Sequence, residues 1–240
     1  MRNKIELLKN KLNKIDICCS NEQIEQLVSY YEMLIEKNKV MNLTSITEPE
    51  EVIEKHFVDS LAVHQFVKLK EGDRLIDIGT GAGFPGIPLK ILFPKLKIVL
   101  LDSLNKRITF LEEVIQKLGL KEIECIHGRS EDVARKEEYR EKFDFCVSRA
   151  VANMSTLAEL CIPFVKQNGY FVSYKAGNCS DEIEKAGKAI QKLGGKVEEV
   201  VEFELPDTDV NRVFVKIKKE KLTPKKYPRK AGIPGKEPLS

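Results

Sequence analysis

Asp77, Gly79, Gly81 and Gly83 come directly out of a short apolar run, Leu75-Ile76 with Ile78. The run reads as a buried strand. The spaced glycines let the backbone turn sharply and approach a ligand, because a residue without Cβ tolerates φ > 0. A strand entering such a turn and leaving it as a helix builds a cofactor cradle at the carboxyl edge of a parallel sheet. The acid just before the turn can accept hydrogen bonds from an ammonium or from loop amides. S-adenosylmethionine (SAM), an amino acid carrying a sulfonium, suits both features. The rival is a dinucleotide, since Gly81-Ala82-Gly83-Phe84-Pro85-Gly86 also matches G-x-G-x-x-G. That match begins after Gly79 has already ended the strand. Pro85 and Pro88 would also remove amide donors that phosphates need at a helix start. A purely structural turn leaves three costly glycines without a reason.

Further along the chain, Lys97-Ile98-Val99-Leu100-Leu101-Asp102 is a second buried strand ending in an acid, about 20 residues past the glycine turn. There a carboxylate can bind both ribose hydroxyls, whichever nucleoside cofactor is present. Ser103 is placed to cap the next helix. Ser130 and Glu131, after a third strand, are candidates to face the adenine. A fourth strand, 143–148, runs into Arg149, where a residue faces the reacting methyl group. Ser148-Arg149-Ala150-Val151 lacks the acid or amide, prolines and aromatic of enzymes that methylate exocyclic amines. Cys146 and Cys161 read as core, not as the nucleophile that cytosine C5 chemistry needs. Lys175 ends a fifth strand and, with Lys106, Arg107, Arg129 and Arg149, forms a basic ring suited to a phosphate-rich substrate.

The elements that must position these groups follow from periodicity. Residues 1–70 read as a helical N-terminal region, with a capping box at Ser20–Gln23 and a second, with proline in its first turn, at Thr47–Glu50. His56, Asp59 and Ser60 share a helix face and read as a surface hydrogen-bonded cluster. No second histidine stands at ligand spacing, so no metal is expected. Residues 71–220 alternate strand (74–79, 97–102, 123–127, 143–148, 170–175) with helix (86–93, 104–118, 130–136, 154–166, 180–193). They end in strands 197–204 and 211–218, whose short connection predicts an antiparallel hairpin. This is the α/β layout of a Rossmann-like class I SAM-dependent methyltransferase, five parallel units plus a terminal hairpin; a dehydrogenase needs a second parallel half.

Charge is concentrated at one end. The chain is +3 overall, yet residues 221–240 hold six basic side chains and one acid, leaving the first 220 residues at −2. With four prolines this tail predicts no regular element. It reads as a solvated arm that binds polyanions through residues such as Lys225, Lys226 and Arg229. No run is apolar enough for a membrane span, and the N-terminus is not a signal peptide. Six cysteines without a C-x-x-C pair point to reduced thiols in a cytoplasmic protein, expected to act as a monomer.

The motifs Asn42-Leu43-Thr44, His56 to Ser60, Asp77 to Pro88, Asp102 to Arg107, Ser148-Arg149-Ala150 and Thr223 to Arg229 together resemble the glucose-inhibited division protein B family, also called ribosomal small-subunit RNA methyltransferase G. The resemblance runs from about residue 25 to the tail. It implies SAM-dependent methylation of N7 of one guanine in 16S rRNA near the decoding site, with the small ribosomal subunit as partner. By motif it assigns the cofactor to Gly79, Phe84, Asp102, Ser103, Leu104, Ser130, Glu131 and Arg149, and the RNA to Arg129, Arg149 and Lys175. Guanine N7 has a lone pair and no proton to lose, so no general base is needed. Holding N7 about 3 Å from the methyl carbon is then the main task, with Arg149 and Lys175 placing phosphates or O6. A SAM enzyme for a small molecule leaves the basic edge and tail unexplained. The remaining reading is an RNA-binding assembly factor with a vestigial SAM fold.

Overall fold

The computed structural model describes residues 2–149 and 152–240, so Ala150 and Val151 of the fourth-strand motif lie outside the described residues. Five parallel strands, β1 (Arg74–Ile78), β2 (Lys97–Asp102), β3 (Ile123–His127), β4 (Phe143–Arg149) and β5 (Val165–Ala176), are followed by β6 (Gly195–Glu204) and β7 (Asn211–Lys219). The sheet order is β3-β2-β1-β4-β5-β7-β6. The last two strands pair with each other as the expected antiparallel hairpin, and β7 lies antiparallel to β5. The α/β expectation therefore holds, with several boundaries moved, among them the helix expected over 130–136, which ends at Val133, and the start of β5. The helix Met154–Cys161 ends in a short 3-10 turn (Ile162–Phe164) around Pro163, and β5 begins at Val165, inside the stretch expected to be helical.

Strand alternation sends successive side chains to opposite faces. Leu75 and Asp77 of β1, Asp102 of β2, Arg149 of β4, Tyr174 of β5 and Arg212 of β7 share one face with Phe145, Val147 and Phe214. The N-terminal helices Arg2–Asn13 and Asn21–Met41 cover this face and belong to its core. Lys175 is offset by one residue from Tyr174 and so faces the other way. That second core is covered by the helices Met154–Cys161 and Ser180–Lys192.

The Ser20 capping box forms as expected: Gln23 N–H donates to the Ser20 hydroxyl and Ser20 N–H to the Gln23 side-chain Oε1. The second one does not. Glu48 is the N-cap there and makes no side-chain cap. Residues 49–65 form one continuous helix whose middle, Ile53–Val58, is a π-turn in which Asp59 N–H donates to Glu54 O. Such widened turns concentrate at functional sites, and this one carries His56 and leads directly into Asp59 and Ser60.

The tail departs most from expectation. Residues 221–240 lie against the domain instead of extending from it. Thr223, Tyr227, Pro228 and Pro234 are buried. Arg140 donates to the carbonyls of Thr223 and Tyr227 at 2.8 and 2.9 Å, and Arg135 donates to that of Pro228. The prolines leave carbonyls without internal partners, and guanidinium groups of the domain satisfy them.

Candidate functional site: a cavity at the carboxyl edge of the sheet

A cavity of about 880 Å³ opens at the carboxyl ends of β1, β2, β4 and β5. The glycine turn forms its floor. Gly79, Gly81 and Gly83 all have positive φ, but they do different work. At Gly81 (φ +63°) an added Cβ would meet only Gly79 O, at 3.9 Å, so the glycine keeps space open on the cavity side. At Gly83 (φ +105°) a Cβ would collide with Ile87, Leu111 and the Tyr30 hydroxyl, all within 2.8 Å. Gly83 therefore lets the loop approach the N-terminal helix, where the Tyr30 hydroxyl donates to Ala82 O at 2.5 Å. It lies outside the cavity wall, as does Asp77.

Asp77 takes the second of the two roles open to it. Its Oδ2 accepts from the Thr80 hydroxyl (2.8 Å) and Gly86 N–H (2.9 Å), pinning both ends of the loop. Burial pushes its carboxyl up to about 7, against those two donors.

Asp102 stands where the spacing put it, 3% exposed. It accepts from Gly81 N–H and Leu104 N–H, both at 2.9 Å, and from Arg107 Nη1 at 3.2 Å. Arg107 is thus directed at this carboxylate and is not a free member of the basic ring. Ser103 lines the wall but caps nothing: Leu104 is the N-cap of the helix Asn105–Leu118 and makes no side-chain cap, while the Asp102 carboxylate takes the Leu104 N–H. Leu104 itself is 42% exposed and outside the wall. Ser130 and Glu131 are in the wall, with the Ser130 hydroxyl donating to Leu160 O and Glu131 Oε1 accepting from Gly232 N–H at 2.8 Å. Gly232 and Gly235 of the tail are therefore part of the enclosure.

Above the floor stands an aromatic and cationic stack. The Phe84 ring is stacked against the His56 imidazole (centroids 4.5 Å apart, 18° between planes), and the Arg149 guanidinium lies 5.1 Å from the same ring. Arg149 Nη1 donates to Asp59 Oδ2 at 2.9 Å and Nη2 lies 3.3 Å from His56 Nδ1. The other Asp59 oxygen accepts from Arg212 Nε at 2.9 Å, and the Tyr174 hydroxyl donates to Ser60 O at 3.0 Å. Three neighbouring strands, β4, β5 and β7, each send one side chain to a single helical turn. Two of the trio expected on the surface are instead internal, Asp59 at 2% and Ser60 at 0% exposed, and His56 is half-buried. Burial, with Arg149 as the next cause, lowers the His56 pKa to about 3, so the ring is neutral.

Lys175 lies in the wall, but its ammonium donates to Glu182 (2.6 Å) and Ala152 O (2.8 Å). Arg229 is turned inward, held by Glu159, which is 0% exposed and accepts from its Nε, Nη2 and backbone N–H. Lys106, Arg129, Lys225 and Lys226 are exposed. The expected basic ring thus splits into cations held by acids and cations open to solvent. Sequence reasoning missed Arg212, Tyr174 and Glu159 and put Asp59 on the surface. The signal was present for the two acids: Asp59 sits within Phe57-Val58-Asp59-Ser60-Leu61-Ala62-Val63, and Glu159 is the one charge in the helix Met154–Cys161, so each is a charge in an apolar run that needs a buried partner.

A parallel sheet with a terminal hairpin, a glycine turn and an acid ending β2 define a class I SAM-dependent methyltransferase. The donor set fits that cofactor: an anchored carboxylate at the end of β2, an open cradle at Gly81, and Ser130 and Glu131 at the third-strand edge. The M. jannaschii TYW2 structure in complex with AdoMet shares the fold, with TM-score 0.55 and 18% identity over 73% of this chain and 79% of that one. The family model described as GidB, rRNA small subunit methyltransferase G, matches residues 23–211. Ribosomal RNA small subunit methyltransferase G of Lachnoclostridium phytofermentans is 57% identical over 228 residues, covering 95% of this chain and 94% of its own. The protein of the same name from Alkaliphilus metalliredigens is 50% identical over 233 residues, covering 97% and 98%. The chain belongs to the rRNA small subunit methyltransferase G family. It is a SAM-dependent rRNA methyltransferase. No described helix is long and apolar enough to cross a membrane, and no cluster of His, Cys, Asp or Glu among the described residues is arranged to hold a metal.

Proposed function

We propose that the enzyme methylates N7 of one guanine of 16S rRNA, near the decoding site, acting as a cytoplasmic monomer on the small ribosomal subunit. One observation carries the choice of atom. The carboxylates of the cavity wall are committed: Asp59 to two arginines, Asp102 to loop amides and Arg107, and Glu131 through one oxygen to Gly232, leaving its other oxygen for the adenine. His56, with its pKa near 3, is too weak a base to serve. A site without a free base suits an acceptor that has a lone pair and no proton to lose.

SAM, when bound, supplies an electrophilic methyl group on sulfur. The chain's part is to hold and align. Asp102 takes the ribose hydroxyls, Glu131 offers its second oxygen to the adenine amine, and Gly79 and Gly81 leave room beside the loop. Phe84 gives an apolar wall. Arg149 and Lys175 flank the acceptor from the two faces of the sheet, and catalysis comes from the alignment they enforce. Arg129, Lys106, Lys225 and Lys226 meet phosphates around the mouth.

Purified enzyme is incubated with labelled SAM and 30S subunits, naked 16S rRNA or a small-molecule extract. The RNA product is then cleaved chemically at N7-methylguanine. Label in one N7-methylguanine of 30S subunits is expected. Label only in small molecules, or on another atom of the RNA, would overturn the reading.

A further inference from the structure

Thr44 lies in the cavity wall, on the loop that follows the helix Asn21–Met41. Its hydroxyl oxygen is 2.9 Å from His56 Nε2 and 3.0 Å from Ile46 N. The tautomer of His56 decides what these contacts mean. On its other side, Nδ1 faces Arg149 Nη2 at 3.3 Å. A guanidinium only donates, so Nδ1 accepts, and in a neutral imidazole Nε2 then carries the proton. Burial and the adjacent charges of Arg149 and Arg212 keep the ring neutral, against a backbone hydrogen bond with Lys55 that favours the charged form. His56 Nε2–H therefore donates to Thr44 Oγ1, and so does Ile46 N–H. A hydroxyl has two acceptor lone pairs and one donor hydrogen. Both lone pairs of Thr44 are filled, and its O–H proton is left for a partner outside this set.

We propose that the Thr44 hydroxyl donates a hydrogen bond to O6 of the target guanine, making Thr44 a residue that selects guanine over adenine. The inference rests on the N7 reading above, because O6 is the acceptor next to N7 on the same base edge. Adenine presents an amino donor at that position, and two donors cannot pair. The chain of bonds from Arg149 through His56 strengthens the final donor, since successive hydrogen bonds polarise one another. The backbone amide of Ile46 and the Asn38 side chain, which accepts from Thr44 N–H at 2.9 Å, hold the residue in place. A donor at O6 draws electrons from the ring and does not speed attack by N7. Its effect is placement and discrimination, and His56, which acts through Thr44, is a positioning residue.

The test separates this role from a structural one. The guanine modified by the wild-type enzyme is mapped. 16S rRNA carrying either guanine or 2-aminopurine at that position is then assembled by ligation into 30S subunits; 2-aminopurine keeps N7 and the 2-amino group and lacks O6. Single-turnover methylation is measured for wild type, Thr44→Val and Thr44→Ser. Thr44→Val is expected to lose about tenfold on guanine, the size of a lost hydrogen bond that leaves its partner buried. On 2-aminopurine it should match the wild type, which has itself lost about tenfold. Thr44→Ser should restore the preference for guanine. Any general loss from disturbing His56 or Ile46 falls equally on both substrates and cancels in the ratio. A Thr44→Val loss of the same factor on both bases, or no loss on guanine, overturns the inference while leaving the N7 reading intact. Wild-type label on an atom other than N7 overturns both.

Discussion

The two faces of the sheet close over the same edge by the same device, built from opposite ends of the chain. On one face, Asp59 of an N-terminal helix is buried between Arg149 and Arg212. On the other, Glu159 of the helix Met154–Cys161 is buried against Arg229 of the tail. Each is an acid inside an apolar run, and each binds a terminal region to the cavity. The difference lies in how the charge is balanced. Asp59 serves two cations that are themselves 14% and 17% exposed, so none of the three can reach water easily. Glu159 serves one, and Arg229 is 25% exposed at its outer end. The N-terminal closure is therefore the more deeply enclosed of the two, and the C-terminal closure is a strap expected to loosen before the sheet unfolds.

Asp59→Ala should show the largest effect. It leaves two guanidinium groups facing one another with no acid between them, and breaking a buried pair in this way costs about 3–5 kcal/mol. Thermal denaturation should show a large drop in Tm, and methylation should disappear with the displacement of Arg149. A drop corresponding to less than about 1 kcal/mol would place both arginines in solvent and remove the distinction between the faces.

Arg229→Ala should be milder. Glu159 keeps the Arg229 backbone N–H but loses a two-pronged charged partner, for about 3 kcal/mol, the lower end for a broken buried pair. The loss should be local. Hydrogen exchange of amides in residues 223–236 should accelerate while the amides of β1 and β4 stay protected. SAM should bind more weakly, because Gly232 and Gly235 leave the wall. Unchanged exchange in the tail would show that the prolines and carbonyl contacts alone hold the strap.

Much of this was legible beforehand. Period-2 and helical patterns placed all seven strands, and Gly79, Gly81 and Asp102 marked the sheet edge at which the cavity opens. Alternation also contained more than was read from it. Tyr174 pairs with Arg149 in the register, so Lys175 must face away and meet a different acid. Treating both cations as one ring ignored that parity. The tail misled for another reason. Local composition, rich in proline and lysine, says that no regular element forms, but it is silent on whether carbonyls freed by proline find donors elsewhere. Arg135 and Arg140, 83 to 93 residues away in sequence, supply them. The π-turn and the Asp59 cluster were hidden similarly: i, i+3, i+4 spacing identifies a face and not what covers it.

The strap also sharpens what can be asked of the exposed cations. Deleting residues 221–240 would unroof the cavity and leave Glu159 buried without a partner, so it cannot isolate an RNA-binding role. Point substitutions can. Lys225, Lys226 and Arg129 are exposed, and among the described contacts none of them pairs with an acid. Replacing all three by Ala should leave stability within about 0.5 kcal/mol of wild type and SAM affinity near normal. What should change is the salt dependence of RNA binding. Each phosphate contact removed lowers the slope of log K against log salt by about 1, since one fewer counterion is released. Binding to 16S rRNA measured across a salt series, in wild type and in the triple variant, gives this slope directly. An unaltered slope would place the RNA on another surface and leave Lys106 with the inward-facing Arg149 and Lys175 to meet the substrate.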